Sequence, residues 1–125
     1  MLAVDTSSFI AYLQGENGKD VQAIDLALKE QYLSLPPIVL TELLSDYSLN
    51  PDFQSLILEV PALEVIYGYF ERAGRLRAQV RSKGHKAKLA DILIAQSCID
   101  HQVPLISRDR DFLTIRKCSS LQVFT

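Results

Sequence analysis

The sequence predicts an α/β fold in three layers, with a central, mainly parallel sheet flanked by helices. Three observations carry that expectation. Short apolar runs alternate with stretches whose apolar residues recur every three or four positions. The runs are bounded by Gly, Pro and small polar residues. At 125 residues the chain suffices for a single domain, taken as residues 1–125, with a core of its own.

Residues 2–5 form a short apolar run that reads as a buried strand, and Thr6, Ser7 and Ser8 can cap a helix reaching about Gln14. Gly15 and Gly18 mark a loop, after which Val21, Ile24, Leu28 and Tyr32 recur at helical spacing. A strand at 33–35 stops at Pro36 and Pro37, the second of which suits the first turn of a helix. Val39, Leu40, Leu43, Leu44 and Tyr47 are expected to form the buried stripe of that helix, ending near Asn50 and Pro51. A further helix is expected over 52–59, then a strand or irregular link at 63–66. A helix over 69–82 ends at Gly84, and the clearest helix of all runs over 88–101. Residues 103–106 and 121–124 complete the strands.

Composition excludes several classes. With 48% hydrophobic and 22% charged residues, and no apolar run of membrane-spanning length, no transmembrane segment is expected. Residues 1–5 lack the basic and apolar regions of a secretory leader, so a cytoplasmic protein is expected. Cys98 and Cys118 are too few for a disulfide framework and have no zinc-like spacing. The net charge of −2 conceals an asymmetry: residues 72–88 hold seven basic side chains and no acid, while all fifteen acids lie elsewhere. A solvated helix face accounts for such a run, and so does a rim that contacts phosphates.

The positions of the acids point to chemistry. Ligands of an open parallel sheet bind beyond the carboxyl ends of its strands, and right-handed crossovers start each following helix at that edge. Asp5 ends the first strand, Glu42 lies in the early turns of the helix after the second, Asp91 in the first turn of the helix after Lys88, and Asp109 follows strand 103–106. Asp25, Glu30, Asp46 and Asp100 fall elsewhere, and Asp111 competes with Asp109. Carboxylates so gathered repel one another and require a cation, for which an all-oxygen set suits Mg2+ or Mn2+. Each acid also has a structural reading, as helix cap, exposed helix residue, dipole partner or turn aspartate.

The segments 4–7 (VDTS), 39–43 (VLTEL), 89–95 (LADILIA) and 105–112 (LISRDRDF) resemble, in order and across the whole chain, the four motifs of PIN-domain nucleases, and the length is similar to that of VapC toxins. The resemblance implies a Mg2+- or Mn2+-dependent endoribonuclease, usually a homodimer, held inactive by a VapB-like antitoxin. Carried over by motif, Asp5, Glu42, Asp91 and Asp109 would hold the metal, with Asp111 the alternative to Asp109. Thr6, Ser7 and Ser107 would support them, Ser107 standing where the family often has threonine. Arg72, Arg75, Arg81, Lys86, Lys88, Arg108 and Arg110 would hold the RNA backbone. A receiver domain is disfavoured because Thr6, and not a second acid, follows Asp5. A non-catalytic binding module and a DNA-directed nuclease stand as the alternatives.

Overall fold

The computed structural model describes residues 1–124. Its elements alternate as expected: β1 (Leu2–Val4), α1 (Thr6–Leu13), α2 (Lys19–Lys29), β2 (Leu33–Ser34), α3 (Pro37–Leu44), α4 (Pro51–Glu59), α5 (Tyr69–Ser82), α6 (Leu89–His101), β3 (Leu105–Ile106), α7 (Asp111–Lys117) and β4 (Val123–Phe124). The four strands form an all-parallel sheet in the order β2-β1-β3-β4, and the helices complete a three-layer α/β/α arrangement. The two central strands are enclosed on both faces, with Ala3, Val4, Leu105 and Ile106 all fully buried, whereas β4 at the sheet edge is partly exposed.

Strand order decides where a site can form. The chain leaves β1 for β2 on one side and later returns to place β3 on the other. A crevice therefore opens between the carboxyl ends of β1 and β3. Ala3 pairs with Leu105 and Val4 with Ile106, so Asp5 and Ser107 are the next residues on two adjacent strands. The Asp5 amide donates to the Ile106 carbonyl at 3.1 Å, which extends the ladder to the site's first carboxylate.

The helix over 88–101 is the hub of the helical layers. Ile92, Ile94, Ala95 and Cys98 are buried on more than one face of α6, which packs against α3, α5 and α7. Such enclosure blunts its amphipathic pattern. Gln102 follows in the left-handed conformation (φ 54°) and turns the chain into β3. At the end of α5, Gly84 occupies the same region at φ 83°, where a side chain would be strained.

Two expectations are corrected. Helix α3 ends at Leu44, well before Asn50: the Ser45 hydroxyl bonds back to the Thr41 carbonyl, and Asp46 accepts from both the amide and hydroxyl of Ser48. These local bonds substitute for the helical ladder. Tyr47 is consequently fully exposed and outside the buried stripe, of which Val39 and Leu43 alone are buried. Of the two alternatives for residues 63–66, the irregular link is the one found; a single parallel bridge joins Leu35 to Ala62 just before it. The second correction is α7 (Asp111–Lys117), a helix between the strands expected at 103–106 and 121–124, where no element was anticipated. Phe112 and Ile115, spaced by three, enter the core from it.

Burial makes these assignments measurable. Ile92→Ala removes a fully enclosed side chain and is expected to cost about 2–5 kcal/mol in urea denaturation. Tyr47→Ala is expected to change stability by less than about 0.5 kcal/mol. A large loss for Tyr47→Ala would restore the longer helix.

Candidate metal centre

The crevice begins with Asp5. Its backbone is extended (ψ 170°), and its carboxylate caps α1 by accepting the Ser8 amide at 3.0 Å. The cap is therefore the aspartate itself, and not one of the three hydroxyl residues after it. Ser7 donates to Oδ2 at 3.1 Å, and the Ser107 hydroxyl donates to the same oxygen. Only 2% of Asp5 is exposed. Burial raises its pKa, while the hydrogen bonds from Ser107, Ser8 and Ser7 oppose that rise by favouring the ionised form. A carboxylate so enclosed is oriented by its donors and has little freedom to turn.

Three further acids approach from other elements. Glu42 lies late in the shortened α3 and accepts from Thr6 Oγ1 at 2.7 Å, which ties α3 to the first turn of α1. Asp91 lies in the first turn of α6 and is half-buried. Asp109 follows β3; its amide donates to Ser107 Oγ at 2.9 Å, and its Oδ1 caps the Asp111 amide at 2.9 Å. Asp5, Glu42, Asp91 and Asp109 line one cleft of about 230 Å3, together with Thr6, Ser7, Ile10, Ile94 and Phe112.

The tightest acid group differs from that foursome. One carboxylate oxygen each from Asp91, Asp109 and Asp111 lie within 4.8 Å of one another. Asp111 joins because α7 starts with it, in the turn that Asp109 caps. Both acids of the Asp-Arg-Asp stretch thus lie close to Asp91. The crowding has an electrostatic cost. Burial first, then Asp109 and Asp111, push Asp91 up to about 6, and Lys88 only partly offsets them.

The donor set fits a hard divalent cation. Each of the three acids offers a carboxylate oxygen, the ligand type that hard cations such as Mg2+ and Mn2+ take. The group holds no histidine or cysteine.

The basic segment divides. Arg72 pairs through Nε and Nη2 with Asp100 at 2.9 and 2.7 Å, and its guanidinium also meets the carbonyls of Tyr67 and Ile66. Arg77 donates from Nε to the Ala87 carbonyl at 2.9 Å. Arg108, outside the segment, is bound to Asp20 and Glu16. Arg72 and Arg108, both expected to contact RNA, therefore direct their guanidinium groups to partners within the fold. Arg75, Arg81, Lys86, Lys88 and Arg110 are exposed and form no side-chain hydrogen bond or ion pair among the described residues. Sequence reasoning overlooked Ser8, Glu16 and Asp20, whose partners lie some 90 residues or more away in the chain; no local pattern marks them.

A family model of the PIN domain matches residues 2–117. The chain belongs to the PIN-domain family. PIN domains are generally nucleases that use divalent metals, in keeping with the acid cleft at the sheet's carboxyl edge. Three solved structures share the fold. VapBC2 from Rickettsia felis, bound to a DNA fragment from their promoter, superposes with a TM-score of 0.74 at 18% identity, covering 98% of this chain and 96% of that one. FitAcB from Neisseria gonorrhoeae gives 0.70 at 18%, covering 100% and 97%. VapBC-5 from Mycobacterium tuberculosis, a member of the VapBC family of toxin-antitoxin systems, gives 0.67 at 20%, covering 98% and 96%. No curated protein sequence matches the chain. No helix among the described residues is long and apolar enough to cross a membrane.

Crowding at Asp91 gives a signed expectation. Folded, Asp91 keeps its proton to about pH 6, whereas unfolded it releases it near 3.8. Between those values the folded state binds more protons, so this group's contribution to stability falls as pH rises toward 6 and then levels off. No hydrogen bond to the Asp91 side chain is present among the described residues, so Asp91→Asn loses none. Without metal, Asp91→Asn is expected to melt several degrees above wild type at pH 7.5, with the difference vanishing near pH 4. A lower melting temperature at pH 7.5 would contradict the repulsion.

Proposed function

We propose that this PIN domain is a Mg2+- or Mn2+-dependent endoribonuclease and the toxin partner of a VapB-like antitoxin. The observation that carries the reading is the gathering of Asp91, Asp109 and Asp111 within 4.8 Å, beside Asp5 and Glu42 in the same cleft. An uncompensated cluster of this kind, in which Asp91 retains its proton to about pH 6, is costly to the fold and is relieved by a divalent cation.

When bound, such an ion supplies Lewis-acid activation of water and neutralises charge developing on a phosphodiester. Asp91, Asp109 and Asp111 are the nearest ligands in this reading. Asp5, fixed by Ser7, Ser8 and Ser107, is oriented toward the same cleft from the adjacent strand. Glu42, held by Thr6, closes the side formed by α3. Lys86, Lys88, Arg75, Arg81 and Arg110 supply exposed positive charge for the flanking backbone, Lys88 being the residue just before α6.

Antitoxin pairing is supported by the fold shared with VapBC and FitAB proteins, and the expected homodimer and cytoplasmic setting belong to the same reading. The non-catalytic alternative has no feature of its own in this structure, because all the expected acids line the cleft or its cluster.

Purified protein is expected to cut labelled single-stranded RNA with Mg2+ or Mn2+ and to leave it intact in EDTA. Asp5→Asn is expected to lower the rate by at least about 100-fold, the upper end of the loss for groups one shell out from a metal. RNA left whole with either metal, or equal cutting by Asp5→Asn, would refute the ribonuclease reading. Preferential cutting of DNA would transfer the same site to the other nucleic acid. Lys86→Gln and Lys88→Gln are each expected to weaken RNA binding and to reduce the slope of log K against log[salt] by about 1 or less. An unchanged slope in both would remove these lysines from the interface.

A further inference from the structure

Arg108 stands between Ser107, which donates to Asp5, and Asp109, one of the clustered acids. Its position immediately before the Asp-Arg-Asp stretch of residues 109–111, beside a nuclease cleft, invites the reading of a phosphate contact. The geometry points to a different role. We infer that Arg108, Asp20 and Ser8 form a clamp that positions the Ser107–Asp109 turn against β1 and α1, and that Arg108 is a positioning residue with no part in holding RNA. The inference rests on the metal-centre reading for its functional consequence, and on the contacts alone for its structural one.

The clamp is continuous. Arg108 Nε donates to Asp20 Oδ2 at 2.7 Å, Nη2 to Asp20 Oδ1 at 3.3 Å and to the Asn17 carbonyl at 3.4 Å, and Nη1 to Glu16 Oε1 at 3.0 Å. Four of the five guanidinium hydrogens are thus engaged, leaving one for any phosphate. The backbone of the same residue is held as well: the Arg108 amide donates to Ser8 Oγ at 3.0 Å. Ser8 is completely buried, and its hydroxyl donates to Asp20 Oδ2 at 2.9 Å while its amide donates to Asp5 Oδ1. A single chain of bonds therefore runs from Asp20 through Ser8 to Asp5, and from Asp20 through Arg108 into the turn that carries Asp109.

The clamp has an electrostatic consequence and a steric one. The paired guanidinium holds the Asp20 carboxyl below its ordinary range, as a committed ion pair does. Gly18, at φ 149°, has no room for a side chain: a Cβ there would lie 2.4 Å from Asp20 Oδ1 and 3.4 Å from Arg108 Nη2. Because Ser8 and Arg108 both hold Asp20, that carboxylate cannot swing aside, and the glycine is required where the backbone passes the pair.

Asp20→Asn separates the two roles, because it breaks the pair while leaving the Arg108 charge in place. It is compared with Arg108→Gln, Arg108→Lys and the double variant Arg108→Gln/Asp20→Asn, each first checked for a cooperative melt. Clamp loss is expected to speed amide exchange at 107–111 in Asp20→Asn and Arg108→Gln alike. Mn2+ affinity, read from the metal-induced rise in melting temperature, is expected to fall about 10–100-fold in both, as for groups that orient metal ligands. The double variant is expected to be no worse than either single one, and Arg108→Lys to recover part of the loss. The salt slope of RNA binding, measured on a cleavage-dead Asp91→Asn background, is expected to stay unchanged.

A slope lower by about 1 in Arg108→Gln, with Mn2+ affinity and exchange at 107–111 as in wild type, would overturn the inference and return Arg108 to the RNA. So would tighter RNA binding by Asp20→Asn with unaltered exchange. Failure of the wild-type protein to bind Mn2+ or cut RNA would refute the proposed function, and the exchange readout would still decide the clamp.

Discussion

Repulsion among carboxylates at the carboxyl edge of the sheet is the constraint on which the rest of this structure depends. Asp91, Asp109 and Asp111 come from two distant parts of the chain and meet within 4.8 Å, with Asp5 buried close by. Bringing them together opposes folding, so the surrounding structure has to hold each acid where it would not remain on its own. Asp5 is fixed by three donors, Glu42 by Thr6, and Asp109 by the turn in which Ser107 and Asp111 take part. In the proposed reading such a site is strained without a cation and satisfied with one, which would couple metal binding to stability.

Topology explains why the site lies where it does. Strand order β2-β1-β3-β4 puts the switch of chain direction between β1 and β3. The first residue past each strand, Asp5 or Ser107, therefore points into a common crevice, and α6 and α7 bring Asp91 and Asp111 in their first turns. The amino ends of these helices also carry partial positive charge, which eases the concentration of acids there. The positively charged 72–88 segment belongs to a different part of the fold, mainly α5 and the loop into α6. The segment meets the acid cleft at Lys88, whose charge partly offsets the crowding at Asp91.

Much of this was legible in the sequence, for identifiable reasons. Asp5, Glu42 and Asp91 could be placed because strand and helix polarity follows from short apolar runs and three- or four-residue spacing, both of which are local. The long helix over 88–101 was clear because thirteen residues give the period time to show itself. Helix α7 was not legible: seven residues with two buried positions resemble a loop, although Asp111 at its start and Arg116 and Lys117 at its end match the helix dipole. The early end of α3 escaped because it depends on the bond from the Ser45 hydroxyl to the Thr41 carbonyl and on the Asp46 carboxylate accepting from Ser48. The fates of Arg72 and Arg108 were out of reach for a different reason. Their carboxylate partners, Asp100 and Asp20, lie 28 and 88 residues away, and charge counting cannot tell a free cation from a paired one.

The most direct test is an NMR titration of the Asp91 carboxyl carbon in metal-free protein and again with saturating Mg2+. Mutual repulsion and burial predict a midpoint near 6 without metal, displaced well below that value when the ion is present. A midpoint near the ordinary 3.8 that Mg2+ leaves unmoved would mean that the acids neither crowd one another nor share a cation, contradicting the account of the site.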